Sequence, residues 1–378
     1  MQQPARDNNR TYMTVGVWII STVAIGMVIA QGAHILAPFA LAIFIWLVME
    51  GFARAIHKPF PNIPSWAAHV FAMAVVAIGI VIFIGVLRGA VVEFASKSDQ
   101  YELRINQLIA QVYTMLGLQD APHLSSLIFS DASVRFVEPA LASVQGLAGD
   151  MVLIMIYVAF LYVTSASFSR KLDRVFVRPI DRERARLVGA DIRRTMEQYL
   201  WVQTALSIIT TALTYATLLA MGLDNALFWA FVIFVLNYIP TIGSIVAGLL
   251  PALFAIVQTE WPAWMPNDPM ICAVIVFLGI SVWQFLIGNF VSPRMTSNSL
   301  NLSALVVLLS LAVWGALWGL PGMFLSAPLT VLIMIVLAQI PGARWIAVLM
   351  SADGNPGEYA AKQHDLHMDF RHEQMTDI

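Results

Sequence analysis

Charge is scarce in this sequence. Only 12% of its 378 residues are Asp, Glu, Lys or Arg, while 59% are hydrophobic. An ordinary soluble domain carries about 25% charged residues. The shortfall excludes a soluble enzyme and a disordered chain. The formal net charge of −2 provides no basic field, which excludes a nucleic-acid binder. Cysteine is nearly absent too. The single Cys272 forms no internal disulfide and, set in an apolar run, reads as a small buried hydrophobe. Enzyme motifs are missing: there is no G-x-x-x-x-G-K-[ST] phosphate loop, no H-E-x-x-H zinc helix and no G-x-S-x-G nucleophile turn. Of seven histidines, three fall in the polar C-terminal tail (His364, His367 and His372), where a solvated tail explains them better than a metal site. No catalytic residue, metal ligand or cofactor is predicted, and the chain is read as not an enzyme.

What is present is a series of long apolar runs. A helical span needs about 20 apolar residues. Met13–Ala30, Ile35–Met49, Trp66–Leu87, Gly149–Phe168, Tyr199–Met221 and Met270–Phe290 fit that length or come near it. Arg6 and Arg10 precede the first, with no convincing cleavage site behind it, so it is expected to be a retained span. Two further stretches, Leu227–Gln258 and Leu302–Ile340, have 32 and 39 residues. As straight helices they would run about 48 and 58 Å, against a hydrocarbon core of about 30 Å. Both contain breakers: Pro240, Gly243, Gly248 and Pro251 in one, and Gly315, Gly319, Pro321, Gly322 and Pro328 in the other. Proline removes a backbone donor and clashes with the preceding turn. The reading is an all-α polytopic membrane protein of about eight segments, the two long ones broken or re-entrant, with a mainly helical polar insert between the third and fourth spans.

The expected organisation has four parts. Residues 1–87 hold the N-terminal tail and three spans. Residues 88–148 form an extracytoplasmic insert in which Tyr101, Ile105, Leu108, Val112 and Met115 recur at helical spacing, with a weaker helix after Pro122. Residues 149–340 are the main membrane block, with a basic loop at 169–198 and the broken helices at 227–258 and 302–340. Residues 341–378 are a polar tail. The 169–198 stretch has nine Lys and Arg against five acids, which marks the cytoplasmic side. Counting spans outward from it puts both termini in the cytoplasm. Hairpins in the two long stretches would leave Thr259–Pro269, with two acids and no Lys or Arg, outside.

No Asp, Glu, Lys or Arg falls inside the apolar runs except near their ends; the edge acids are Asp150, Glu197 and Asp224, with Glu50 closing the second span. This argues against a deep carboxylate proton relay. The polar atoms at depth are neutral. Asn237, Tyr238, Thr241 and Ser244 surround Pro240 and Gly243; Gln284 and Asn289 follow on the next span, ahead of Pro293 and Arg294. Taken singly, such residues are more often glue between helices, worth about 0.6 kcal/mol each. Clustered beside two interrupted hydrophobic segments, they point to a transporter's binding site.

The same residues resemble a known family. Asn237-Tyr-Ile-Pro-Thr-Ile-Gly-Ser244 with Pro251, Gln284-Phe-Leu-Ile-Gly-Asn-Phe-Val-Ser-Pro293, Leu300-Asn-Leu-Ser303 and Trp314-Gly-Ala-Leu-Trp-Gly-Leu-Pro-Gly-Met323 followed by Pro328 are similar to the autoinducer-2 exporter family of bacterial permeases. The chain departs from that pattern at Ala304, where many relatives have proline. The resemblance implies a secondary transporter in the bacterial inner membrane. It implies export of autoinducer-2 in some members and sodium or lithium exchange for protons in others, with homo-oligomers, pentamers among them.

The leading expectation is therefore export of a small polar solute. Asn237, Tyr238, Thr241, Ser244, Gln284, Asn289 and Arg294 are the candidate binding residues, with Pro240, Gly243, Pro251, Pro293, Pro321, Gly322 and Pro328 as helix breakers. Exchange of a monovalent cation for protons is the alternative, and a non-transporting scaffold a second one.

Overall fold

The computed structural model describes residues 16–17, 20–21, 23–57, 64–117, 138–175, 178–296 and 301–356. Among them the chain is helical apart from turns and one isolated bridge, Leu302 with Ser351. Among the described residues six helices are long and apolar enough to cross a membrane, counting the kinked stretch 304–338 as one. Part of the expected first span, and the weaker helix after Pro122, lie outside the described residues.

After a helical stretch over residues 23–31 come α1 (Ala33–His57), α2 (Ser65–Ser96), α3 (Ser98–Met115), α4 (Glu138–Val175) and α5 (Pro179–Met221). The polar stretch 169–198 forms the adjoining ends of α4 and α5 rather than an irregular loop. Its charges solvate a helical pair joined by ion pairs: Asp173 meets Arg186 at 2.6 Å and Arg182 at 3.9 Å. The 43 residues of α5 span about 65 Å, so its basic first half extends beyond any hydrocarbon core. Pro179 opens it, where a missing N–H costs nothing. Gly222 closes it at φ 73°, and a side chain there would collide with Pro262.

Next come α6 (Ala226–Leu236) and α7 (Ile242–Val257), then α8 (Pro269–Leu286). At about 16 and 24 Å, neither α6 nor α7 reaches across a bilayer. They fold back on each other, the ring of Trp229 lying 5.5 Å from that of Phe254. Gln258 closes the base: its Nε2 donates to Gly222 O at 2.8 Å, and its Oε1 accepts from Asp224 N at 2.8 Å. This first hairpin enters and leaves on one side. Helix α8 starts with Asp268 accepting from the amides of Met270 and Ile271, and runs through a π segment, Ile287–Val291, into the short α9 (Ser292–Thr296).

The stretch α10 (Ala304–Ala338) contains one non-helical residue, Gly319, at φ 63° and ψ −140°. Trp314 Nε1 donates to Thr330 Oγ1 at 3.2 Å. Sixteen residues of straight helix would separate them by about 24 Å, so α10 turns at Gly319 and doubles back as a second hairpin. Its base is tied by α11 (Arg344–Met350), with Ser303 N donating to Met350 O at 2.9 Å and Ala352 N to Asn301 O at 3.0 Å.

Proline is not the breaker at every position where it was expected. Pro240 and Pro321 stand at the two turns, but Pro251 and Pro328 lie within continuous, buried helical limbs. Pro293 lies inside α9, after the π segment, where the amide of Ser292 reaches back five residues to Ile287 O; that wider turn accommodates the missing donor.

Helix α5 organises the packing. Its C-terminal part (Leu218) joins α8 and the first hairpin in one core with Trp229, Ile233, Ala255 and Ile280. Met196, Tyr199 and Leu200 join α1 and the second hairpin in another, with Phe44, Leu325 and Val331. The first hairpin thus packs toward the C-terminal end of α5 and the second toward its middle. The insert helix α3 docks at the base of the first. Lys97 Nζ sits 2.7 Å from Asp224 Oδ2, and Tyr101 packs on Phe94 and Phe254. Partial burial works against the Lys97 charge, but the Asp224 carboxylate beside it holds the ammonium above its ordinary range.

Both turns depend on a missing side chain. A Cβ on Gly243 would overlap the carbonyl oxygen of Leu236, and one on Gly322 that of Trp314. Gly243→Ala and Gly322→Ala are each expected to destabilise the protein by on the order of 3 kcal/mol. Gly288→Ala, which meets nothing within 4 Å, leaves the thermal midpoint in detergent unchanged.

Candidate functional site

The tips of the hairpins meet. Tyr238, at the end of α6, stacks on Phe324, just past the second turn, with centroids 4.5 Å apart and an interplanar angle of 29°. The Tyr238 hydroxyl lies 2.8 Å from Thr204 Oγ1, which itself donates to Leu200 O at 2.6 Å. The second tip is anchored as well, since Trp318 Nε1 donates to Ile29 O at 3.1 Å.

Beside this stack the break exposes backbone. Asn237 is the C-cap of α6, and its carbonyl accepts from Gln203 Nε2 at 2.6 Å. Its side-chain Oδ1 accepts from Gln284 Nε2 at 3.1 Å, while its Nδ2 is buried with no hydrogen-bond partner. Three amide side chains from α5, the first tip and α8 therefore converge, with the Asn237 amide nitrogen unpartnered. Donors and acceptors are both present, which suits a dipolar solute more than a bare ion.

The turn itself is strained. Thr241 has φ 61° and ψ −60°, and Ile242 N donates to Pro240 O across it at 2.6 Å. This tight three-residue turn is rare, and a β-branched residue at positive φ is unusual. Such strain costs of order 1–3 kcal/mol and clusters at binding sites. Both second limbs begin here, at Ile242 and near Pro321, so the positive ends of two helix dipoles face the meeting point. The C-terminal ends of the first limbs lie beside them, and the net field is mixed in sign.

Of the sequence-derived candidates, the structure gathers Asn237, Tyr238, Thr241, Gln284, Pro240, Gly243, Pro321 and Gly322 around the two tips. Ser244 stays local, its hydroxyl 3.4 Å from Thr241 O. Asn289 and Arg294 stand apart. Asn289 is exposed and donates to Phe285 O of its own helix at 2.9 Å, and Arg294 is exposed on α9. Sequence reasoning missed Gln203, Thr204 and Phe324. The first two read as part of a plain span, Tyr199–Met221, although an amide beside a hydroxyl just inside its start was a signal. Among the described residues, no group of three or more His, Cys, Asp and Glu side chains is placed to hold a metal ion.

Comparison with known proteins agrees with this architecture. Residues 19–342 match the sequence profile of the AI-2E family transporter. The chain is 29% identical to the AI-2 transport protein TqsA of Escherichia coli strain K12 over 323 residues, 84% of this chain and 90% of that protein. It is 26% identical to a candidate transport protein of Haemophilus influenzae over 89% of this chain and 95% of the relative. It is also 26% identical to the candidate transport protein YhhT of E. coli K12, over 93% and 97%. The chain belongs to the AI-2E transporter family and is a multi-pass membrane protein.

Three substitutions test the tip geometry. Tyr238→Phe keeps the stack on Phe324 and removes the hydroxyl bond to Thr204; it is expected to cost about 0.6 kcal/mol, as a hydrogen bond between membrane helices does on average. Thr204→Val then adds little further loss in the double variant. Thr241→Gly relieves the positive φ and is expected to raise stability by about 1 kcal/mol. Thermal unfolding in detergent reads all three.

Proposed function

We propose that this protein is a secondary transporter that exports a small polar solute of the autoinducer-2 type across the bacterial inner membrane. The observation that carries the reading is the convergence of Gln203, Asn237 and Gln284 beside the stacked tips of two re-entrant hairpins. Non-helical backbone at membrane depth persists only where protein buries it or where it lines a cavity. Interrupted helices of this kind are where transporters bind their cargo. A polyhydroxylated solute both donates and accepts hydrogen bonds, matching amides and backbone groups that do the same. The autoinducer-2 transport named for TqsA supports the choice of solute.

In this reading the basic ends of α4 and α5 face the cytoplasm, as do both termini. The base of the second hairpin lies on that side, and the base of the first, with α3, lies outside. The solute would pass between the tips as they exchange access, with no fused ATPase. The exposed apolar residues of α2 and α4, among them Phe71, Ile78, Phe160 and Val163, face lipid or neighbouring copies in a homo-oligomer, taken here as the pentamer that the family resemblance implies.

Exchange of a monovalent cation for protons is a second reading. It draws on the Ser207 and Thr214 hydroxyls of α5, two turns apart, each fully buried and without a hydrogen-bond partner and so each able to offer one oxygen atom to a separate cation position. Liposomes holding only the purified protein separate the two. Movement of labelled autoinducer-2 is expected. Proton movement that depends on sodium and proceeds without solute would favour the cation reading. Asn237→Ala and Gln284→Ala are each expected to lower solute flux at least ten-fold while membrane expression and the size-exclusion profile stay as in the wild type. Undiminished flux in both variants would remove this site from consideration.

A further inference from the structure

One ionic cluster lies apart from the hairpin tips. It gathers Glu50 and Arg54 of α1, His69 of α2, and Arg193 and Glu197 of α5. Arg193 Nη2 is 2.6 Å from Glu50 Oε1, and its Nε is 2.8 Å from Glu197 Oε1. Arg54 also pairs with Glu197. His69 Nε2 lies 3.0 Å from Glu50 Oε2. Two rings wall the cluster: Tyr162 of α4 lies 5.0 Å from the His69 ring, and Trp46 of α1 sits under the Arg193 guanidinium at 5.6 Å.

Stability alone is a weak reason for carboxylates buried on these helices. Taking ion pairs out of water costs several kcal/mol per ion, and well-packed apolar residues often do as well. The Glu197 side chain is only 9% exposed, Glu50 16% and His69 19%, while their guanidinium partners Arg54 and Arg193 reach water at 55% and 44% exposure. Ionisable residues on membrane helices are functional candidates for that reason. The two carboxylates balance the two guanidiniums. The imidazole is the remaining group, and histidine is the side-chain type that changes charge between about pH 5 and 8.

The cluster also has a route to the hairpin tips. Glu197 and Thr204 are seven residues apart on α5, within about 20° of the same face and about 10 Å along the axis. Leu200 lies between them and accepts the Thr204 hydroxyl, which in turn meets Tyr238 at the first tip.

We propose that His69, with Glu50 as its counter-charge, is the proton-binding site that couples a proton gradient to solute movement. A proton taken from water on one side places a positive charge beside Glu50. There it competes with Arg193 for the Glu50 carboxylate and leaves Arg193 held by Glu197 alone, which it already contacts. Helix α5 carries that change along one face to the Thr204–Tyr238 contact. Release of the proton to the other side restores the balanced pairs. This role rests on the transporter reading above.

The test uses purified full-length protein in liposomes with labelled autoinducer-2 as the probe. Exchange at equal pH on both sides reads transport alone, and accumulation driven by a difference of one pH unit reads coupling. For one proton per solute, the wild type accumulates up to about ten-fold. His69→Gln and Glu50→Gln are expected to abolish that accumulation while equal-pH exchange stays within two-fold of wild type. Undiminished accumulation in both variants would overturn the assignment. So would loss of exchange and accumulation in equal proportion, which marks a purely structural role. Absence of exchange in the wild type would overturn the transport reading itself and this role with it.

Discussion

A chain that reverses inside a membrane must satisfy its backbone without help from water. This protein does so twice by the same means, and the rest of the architecture depends on it. In each hairpin a glycine, Gly243 or Gly322, lets the carbonyl of the first limb come as close as a hydrogen atom permits, while a proline stands at the turn. The freed groups are then taken up locally. The Asn237 carbonyl goes to Gln203, and Ile242 N closes a turn onto Pro240 O. A larger residue at either glycine would push the limbs apart and leave those groups exposed to hydrocarbon.

The close turns place the tips where they can meet, and α5 fixes where that is. The first hairpin packs toward the C-terminal end of α5 and the second toward its middle, so the tips converge near Gln203 and Thr204. The bases are held by different chemistry. Gln258 clamps the first with hydrogen bonds, and the Lys97–Asp224 pair adds the insert helix to it. The short helix α11 ties the second through backbone bonds. Firm bases and a strained tip at Thr241 put rigidity and stored energy at different points of one element, an arrangement suited to motion confined to the tips.

Much of this was legible in the sequence, and the reason is physical. Hydrocarbon imposes a length on every span, so stretches of 32 and 39 apolar residues with paired breakers announced an irregular path. The neutral amides Asn237 and Gln284 stood out because polar atoms are costly at depth. What stayed hidden was set by tertiary partners. Gln203 and Thr204 looked like ordinary members of a span until Asn237 and Tyr238 were beside them. Glu50 and Arg193 are 143 residues apart in sequence, and nothing local announces their pairing. The basic stretch 169–198 read as a loop because composition reports solvation rather than backbone continuity. Proline misled in three places: Pro251, Pro293 and Pro328 break nothing, because a helical limb buried against neighbours or relaxed by a π turn absorbs one missing donor.

The distribution of charge constrains how such a protein can work. With no Asp, Glu, Lys or Arg at the hairpin tips, the site can hold a neutral, dipolar solute without first neutralising a fixed charge, so binding and release both remain shallow in energy. Any coupling to an ion gradient must then act from elsewhere. The described charged groups associated with the spans lie in clusters toward opposite parts of α5, one around Glu197 and Arg193 and the other around Asp224 and Lys97. Only the first contains an imidazole, and only it lies on the α5 face that leads to Thr204. In the proposed reading, separation of this kind would let amides and backbone tune the solute site while a distant charged junction sets the direction of transport.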